Sequence, residues 1–258
     1  MFIQNCQDIL NKYGTSLALG VETTLIVSLT GTFFGLILGL LVGGFRAAKL
    51  DYTAGPVAVF FFKKLFNALA NIYITIFRGT PMMVQAVFIY YALLNIVHWT
   101  TLTAAIFVIS INTGAYMSEI IRSGIQAVDV GQTEAARSLG MSNADTMFGV
   151  VLPQAIRNAF PAIGNELIVN IKDSSVLMII SITELMFQAK SIAGSTFHFT
   201  ETYFIEAVIY LILTSIASLI LNAIERNMRK TKKVSFQLPM SDTDPKSIGY
   251  TMLERDKK

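Results

Sequence analysis

Apolar residues in this chain come in blocks rather than stripes. Leu17 to Phe45 is apolar apart from Glu22 and a few hydroxyl side chains. It is long enough to cross the ~30 Å hydrocarbon core of a bilayer with some tilt. Pro56 to Phe77 is interrupted by Lys63-Lys64. Paired lysines are costly near the bilayer centre, so this stretch predicts an interfacial helix that also leads into the next span. Pro81 to Trp99 predicts a second span, with Tyr90, Tyr91 and Trp99 toward one end, where amphipathic rings favour the interface. Leu102 to Arg122 predicts a third. Ser123 to Phe160 is too polar to cross, Pro161 to Leu185 predicts a fourth span, and Tyr203 to Ile224 a fifth. The expected fold class is all-α, a polytopic membrane protein of about five transmembrane helices, because lipid tolerates only structures that satisfy their own backbone groups. This divides the chain into an outer segment 1–16, a transmembrane domain 17–225 with a polar loop 124–160, and a basic tail 226–258 without fixed structure.

Composition supports that class. Of 258 residues, 53% are hydrophobic and 14% charged, with mean hydropathy +0.56, too apolar for an ordinary soluble domain. The net charge of +3 says little; its distribution says more. With five spans, Arg46, Lys49, Lys63, Lys64, Arg78, Arg122, Arg137, Arg157 and the run Arg226, Arg229, Lys230, Lys232, Lys233 share one side, against Lys12 and Lys190 on the other. The positive-inside rule then puts the amino terminus outside and the carboxyl terminus in the cytoplasm. A single Cys6 excludes an internal disulfide, and His98 and His198 alone make no metal site. The first sixteen residues lack the basic-then-apolar order of a cleavable signal, so the first span reads as an uncleaved anchor.

The polar loop carries the most specific pattern. Glu134-Ala135-Ala136 is followed after three residues by Gly140, then after nine by Val150, one more residue, and Leu152-Pro153. The alanines favour a slim helix and Pro153 reads as a break after it. This spacing resembles the EAA loop of ATP-binding-cassette importer permeases, with Val150 where isoleucine is commonest. Phe77-Arg78-Gly79-Thr80-Pro81 with Gln85, Gly114-Ala115-Tyr116 with Glu119, Arg122, Gly124 and Ile125, then Gly131-Gln132 and Pro153-Gln154-Ala155 with Arg157 and Pro161, are similar to segments of the polar amino-acid permeases of that class. The resemblance runs from about Leu17 to Glu225; residues near Asp51 to Ala68 look longer than usual, and the tail lies outside it. It implies a type I importer permease fold in a bacterial inner membrane. It also implies a second permease copy or paralogue, cytoplasmic ATPases, and an extracytoplasmic amino-acid-binding protein. Glu134, Ala135, Ala136 and Gly140 would form the helix that seats on the ATPase. ATP and Mg would be bound by that partner, since no Gly-x4-Gly-Lys-Ser/Thr loop is present and this subunit is expected to hold no cofactor and perform no catalysis. No nucleic-acid partner is expected, and lipid surrounds the spans.

Polar residues inside the spans are candidates for a substrate path. Glu166, Asn170 and Asp173 are four and three apart, hence on one helical face, with Asn165 and Lys172 flanking it. A carboxylate and an amide there suit an ammonium group or a polar side chain; the alternative is a buried hydrogen-bond network joining the two permeases, which is the preferred reading for Lys172 and Asp173. Tyr116 and Glu119 lie on a second polar stripe with Asn112 and Ser123, and Glu119 is expected to tie to Arg122 or Arg78. Glu22 is expected to be shallow and solvated, and Arg78 to be an interfacial anchor at a helix start. Gly31, Gly35 and Gly39, four apart, predict close helix packing. A stand-alone ion-coupled transporter or channel is the alternative reading; it would not need an exposed helix with EAA spacing.

Overall fold

The computed structural model describes residues 1–47 and 57–230. The expectations for Lys49, for Asp51 to Pro56 and for the tail from Thr231, including Lys232 and Lys233, lie outside the described residues. Those described are helical nearly throughout: α1 (Phe2–Ala47), α2 (Val57–Gly79), α3 (Met82–Val97), α4 (Thr101–Gln126), α5 (Val130–Ser138), α6 (Asn143–Thr146), α7 (Leu152–Asp173), α8 (Leu185–Thr196) and α9 (Phe199–Lys230). A π-helical turn, Met147–Val151, joins α6 to α7, and a 3-10 stretch, Ser174–Ile180, follows α7. At 1.5 Å per residue, the 46-residue α1 is about 69 Å long, roughly twice what the hydrocarbon needs. Residues 2–16, expected as a separate outer segment, are part of this same helix.

One seam sets the topology. From Gly31 to Gly43 every fourth residue on one face of α1 is glycine, and each abuts a matching level of α4. A Cβ on Gly31 would come within 2.2 Å of Ile109, one on Gly35 within 2.7 Å of Thr113, and one on Gly39 within 2.3 Å of Met117. The spacing predicts this close approach, and small residues are what allow two backbones to meet in lipid, where dispersion rather than water exclusion drives association. Because both series of numbers rise together, α1 and α4 run parallel. The chain between them must therefore return across the membrane once in net, so α2 and α3 cannot each be a full crossing.

Contacts show how the two share it. Arg46, at the end of α1, donates to Asn71 of α2 at 2.6 Å. Tyr73 donates its hydroxyl to the Ile111 carbonyl, and Asn112 donates to the Phe77 carbonyl at 3.3 Å. Residues 111–113 sit at mid-length of α4 and face Gly35 of α1. The last turns of α2 thus cross one half of the bilayer, α3 crosses the other, and the Thr80–Pro81 break lies at mid-depth. This corrects the expected second span, Pro81 to Trp99, whose start is internal. It also corrects the reading of Arg78 as an interfacial anchor. Lys63 and Lys64 stand about two turns before Asn71, the residue that meets Arg46 at the end of α1, and α2 itself is long and apolar enough to cross a membrane.

The fourth crossing is also broken. Gly124 of α4 lies against Ala155 and Ala159, and Thr113 meets Asn170, so α7 is antiparallel to α4. After the 3-10 stretch, Ser181 takes a left-handed φ of 65°, and α8 leaves at 57° to the segment Asn143–Ile180. What the sequence reads as an outer loop after Leu185 is therefore a helix. α8 packs on the amino-terminal half of α1, with Leu185 against Gly20 and Ile192 beside Ile9 and Leu17. α9 runs parallel to α1, Phe2 against Phe204 at one end, and lines α7 with Leu221 against Gly164. The result is five crossings: α1, α2–α3, α4, α7–α8 and α9. Arg46, Arg122, Arg137, Arg157 and Arg226 gather at the end that carries α5.

The seam is testable. Gly39→Leu should lower the stability of the purified protein by about 1–3 kcal/mol or prevent its accumulation, since the neighbour is the Cβ of Met117 rather than a flexible side-chain tip. Gly44→Ala, on the same helix but with open space around it, should cost nothing by the same thermal unfolding measurement in detergent.

Candidate functional site

Proline at 81 has no N–H for the carbonyl four residues back, that of Phe77. Two side chains replace the missing donor. Gln85 Nε2 lies 3.0 Å from the Phe77 oxygen, 2.9 Å from the Thr80 carbonyl and 2.8 Å from its hydroxyl, while Asn112 Nδ2 donates to Phe77 O and to Gln85 Oε1 at 2.8 Å. Gln85 and Asn112 are buried, and the break is held from behind by α3 and α4. The opposite side of the break, Arg78 to Pro81, is exposed at mid-depth. Arg78 lies over the ring of Tyr116, its guanidinium carbon 5.2 Å from the centroid, a cation–π contact that holds the charge on the half-buried tyrosine.

Glu166 of α7 is close enough to this cation to feel its charge. Half-buried, it lies within the fields of Arg78 and Asp173. Asp173, two turns further along the same face, is half-buried and acted on by exposed Lys172. Arg78, Tyr116, Glu166 and Asp173 therefore make a mixed-charge surface in the middle of the bilayer thickness.

Asn170 departs from this group. Its amide donates to Thr32 of α1 at 2.8 Å and to Thr113 of α4 at 2.9 Å, and all three residues are buried. It ties three spans of this chain together at mid-depth, a network inside the chain rather than the expected one between permeases, and both bonds hold its amide away from the Arg78 face. Asn165 also turns away: with Pro161, Gly164 and Ile168 it lines a groove of about 170 Å³ against Ser218, Leu221 and Asn222 of α9. Of the three residues proposed from sequence to contact substrate, Glu166 alone stands on the Arg78 face. Glu119 ties to Arg122 at 2.7 Å, as expected, but its second cation is Arg46, not Arg78. Glu22 is exposed, ten residues from Thr32 and so about 15 Å from mid-depth, at the edge of the hydrocarbon.

The polar loop is built as carefully. Asp129 caps α5, its carboxylate accepting the Gly131 N–H at 2.7 Å. At the other end Met141 N–H bonds Ala136 O and Gly140 N–H bonds Arg137 O, the paired bonds that close a helix on a left-handed residue. Gly140 supplies it, with φ +85° and open space where a Cβ would be. Gly140 therefore ends the helix rather than adding to its face. Ala136 is buried against the π turn, whereas Glu134 and Ala135 face outward beside Leu139, 83% exposed, with Phe148 of the π turn 70% exposed. Pro153 does not break the path. It opens α7, preceded by the π turn in which Leu152 N–H reaches back to Met147 O.

Sequence reasoning missed a further cluster at the elbow between the fourth span and α8. Fully buried Glu184 caps α8, accepting the N–H groups of Met186 at 2.9 Å and Phe187 at 2.8 Å and the Tyr210 hydroxyl at 3.0 Å, while Thr24 accepts the Leu185 N–H. Buried Glu206 of α9 is close enough to add its charge to that of Glu184. The signal was available: each is an acid within an apolar run.

Comparison with known proteins places this architecture. Residues 31–230 match the family model described as binding-protein-dependent transport system inner membrane component. The glutamine transport system permease protein GlnP of Escherichia coli (strain K12) is 38% identical over 213 residues, covering 81% of this chain and 91% of that protein. The probable amino-acid ABC transporter permease protein YckA of Bacillus subtilis (strain 168) is 36% identical over 208 residues, covering 80% and 86%. Among solved structures, an amino acid ABC transporter crystallised with histidines superposes with TM-score 0.73 at 37% identity, covering 84% of this chain and 96% of that one. A subunit of the inward-facing MetNI methionine ABC transporter shares the fold, with TM-score 0.71 at 20% identity. The chain belongs to the family of inner membrane components of binding-protein-dependent transport systems.

Proposed function

We propose that this chain is the permease subunit of an ATP-driven importer for a polar amino acid. An extracytoplasmic binding protein delivers the substrate, and a second copy or paralogue completes the path. The observation that carries the substrate reading is Arg78, exposed on the break at mid-depth, with half-buried Glu166 of α7 within reach of its charge. A free amino acid carries a carboxylate and an ammonium group close together, and one cation beside one carboxylate complements both where solvent screening is weak. Relatives named for glutamine and amino-acid transport support the class. Tyr116 steers the guanidinium, Asp173 with Lys172 lies one step further along the route, and Asn170 holds the three spans that keep the face in place.

The α5 helix is the docking element for a cytoplasmic ATPase that binds ATP and Mg. Glu134, Ala135 and Leu139 present the contact surface, and Gly140 sets the exit of the chain. With α5 in the cytoplasm, the basic cluster at that end obeys the positive-inside rule, the amino terminus is outside and the carboxyl terminus inside. Closure of the ATPases would move α5 and switch the paired permeases between two packings.

In proteoliposomes containing the permease, ATPase and binding protein, Arg78→Ala and Glu166→Gln should each raise the apparent KM for uptake about tenfold or more, the cost of losing a charge-assisted contact. Asn170→Val should instead lower stability by about 1 kcal/mol and leave the apparent KM unchanged. An unchanged KM in both charge variants would refute the substrate reading.

For docking, Leu139→Asp should release the ATPase in a pull-down while the permease stays folded. Gly140→Asn should support more uptake than Gly140→Val, because asparagine tolerates the left-handed conformation and a β-branched residue does not. Full uptake with no ATP-hydrolysing partner would overturn the whole reading.

A further inference from the structure

Motion of α5 has to enter the spans somewhere, and the joint that receives it is unusual. Between α6 and α7 the helix widens into the π turn Met147–Val151, immediately followed by Leu152-Pro153. A π turn holds one residue more than the α-helix it interrupts, and π turns are frequent at functional sites. Pro153 cannot supply an N–H to this turn.

Gln154 adds a side-chain donor to the turn: Nε2 donates to the Val150 carbonyl, four residues back, at 3.0 Å. The same nitrogen lies 3.4 Å from Gln132 Oε1 on α5. One carboxamide thus touches both the irregular turn and the docking helix, which otherwise rests mainly on α6 and the π turn through buried Ala136. On another side of the turn is a cavity of about 390 Å³, lined by Val130 and Thr133 of α5, Ile125 and Val128 after the third span, and Thr146 and Val151 of the joint. Thr146 is 2% exposed and its hydroxyl has no hydrogen-bond partner. Close-packed interiors transmit displacement rigidly, whereas a turn backed by open volume can be displaced without compressing its neighbours.

We propose that Gln154 is the positioning residue that passes displacement of α5 into the fourth span, through a π turn that the adjoining cavity leaves free to move. The proposal rests on the docking role of α5 given above. It assigns the fixed spacing between Gly140 and Leu152-Pro153 a mechanical meaning. Removing one residue would turn the π turn into an α turn and swing α5 by about 100° around the axis of the fourth span.

The test uses the complete transporter in proteoliposomes and reads amino acid taken up per ATP hydrolysed. Gln154→Leu and Gln154→Glu both remove the donor; each should lower that ratio about tenfold, the upper range for a single coupling position, with the ATPase still bound and hydrolysing. Gln154→Lys keeps an N–H donor and should stay within about threefold of the original ratio, which a purely steric role would not give. Combining Gln132→Ala with Gln154→Leu should be no worse than Gln154→Leu alone, as expected for two ends of one link. If Gln154→Leu does not fold, the Glu and Lys variants decide by the same ratio. A wild-type ratio in Gln154→Glu, or equal loss in Gln154→Glu and Gln154→Lys, overturns the proposal. Leu139→Asp separates the two ideas. If it releases the ATPase while the Gln154 variants behave as wild type, only this inference falls; if it leaves coupling intact, the docking role falls.

Discussion

A proline cannot donate a hydrogen bond, and in hydrocarbon the carbonyl it deserts finds no water. That constraint organises the centre of this molecule. At Pro81 the deserted carbonyl of Phe77 draws Gln85 and Asn112 inward, and their buried amides fix the break on the α4 side. With that side occupied, Arg78 and the residues up to Pro81 are left on the other, at a depth where a charge is costly unless it serves a purpose. At Pro153 the irregularity is of another kind: a π turn precedes the proline, and the Gln154 carboxamide donates to the Val150 carbonyl at the junction with the loop. Two prolines thus define two places where backbone regularity yields: one facing the middle of the membrane, the other facing the docking helix.

Around these breaks the remaining structure is stiff. The glycine face of α1 lets α4 approach until side chains touch backbone, and the Thr32–Asn170–Thr113 tie adds the fourth span to that pair at the same depth. Glu119 with Arg46 and Arg122 binds the α5 end of the seam, while Glu184 and Tyr210 bind the opposite end to α8 and α9. A rigid three-helix frame with irregular segments at mid-depth and at one end is suited to a protein whose parts must move relative to one another without losing their seal.

Much of this was legible in the sequence. Apolar block length gave the five crossings, four-residue glycine spacing gave the α1–α4 seam, and the Glu134 to Pro153 spacing gave the exposed helix. What was misread has a common physical cause: hydropathy measures how apolar a segment is, not how deep it lies. Arg78 beside a proline looks like a helix start at an interface. Its depth follows only from the parallel packing of α1 and α4 and from Tyr73 and Asn112 meeting α2 at the middle of α4. Asn170 and Asn165 share α7 with Glu166, yet rotation about that helix sends one into the α1–α4 tie and the other into the α9 groove. Helical periodicity names the residues of a face but not the neighbour each face meets. Glu184 escaped notice because it sits where the fourth span was expected to end, although the bend there creates a new helix start for it to cap.

The depth of the α2–α3 break decides most of the account, and spin-label depth measurement in bilayers tests it directly. Gly79→Cys adds a Cβ into open space, Phe33→Cys marks mid-depth on the exposed side of α1, and Phe45→Cys marks its end, all in a Cys6→Ser background. From the collision ratio of oxygen to a water-soluble nickel complex, the label at position 79 should report the depth of position 33, about 18 Å from that of position 45 along the helix. A label at 79 that matches position 45 would place the break at the headgroups, and the mid-membrane site built on Arg78 and Glu166 would not exist.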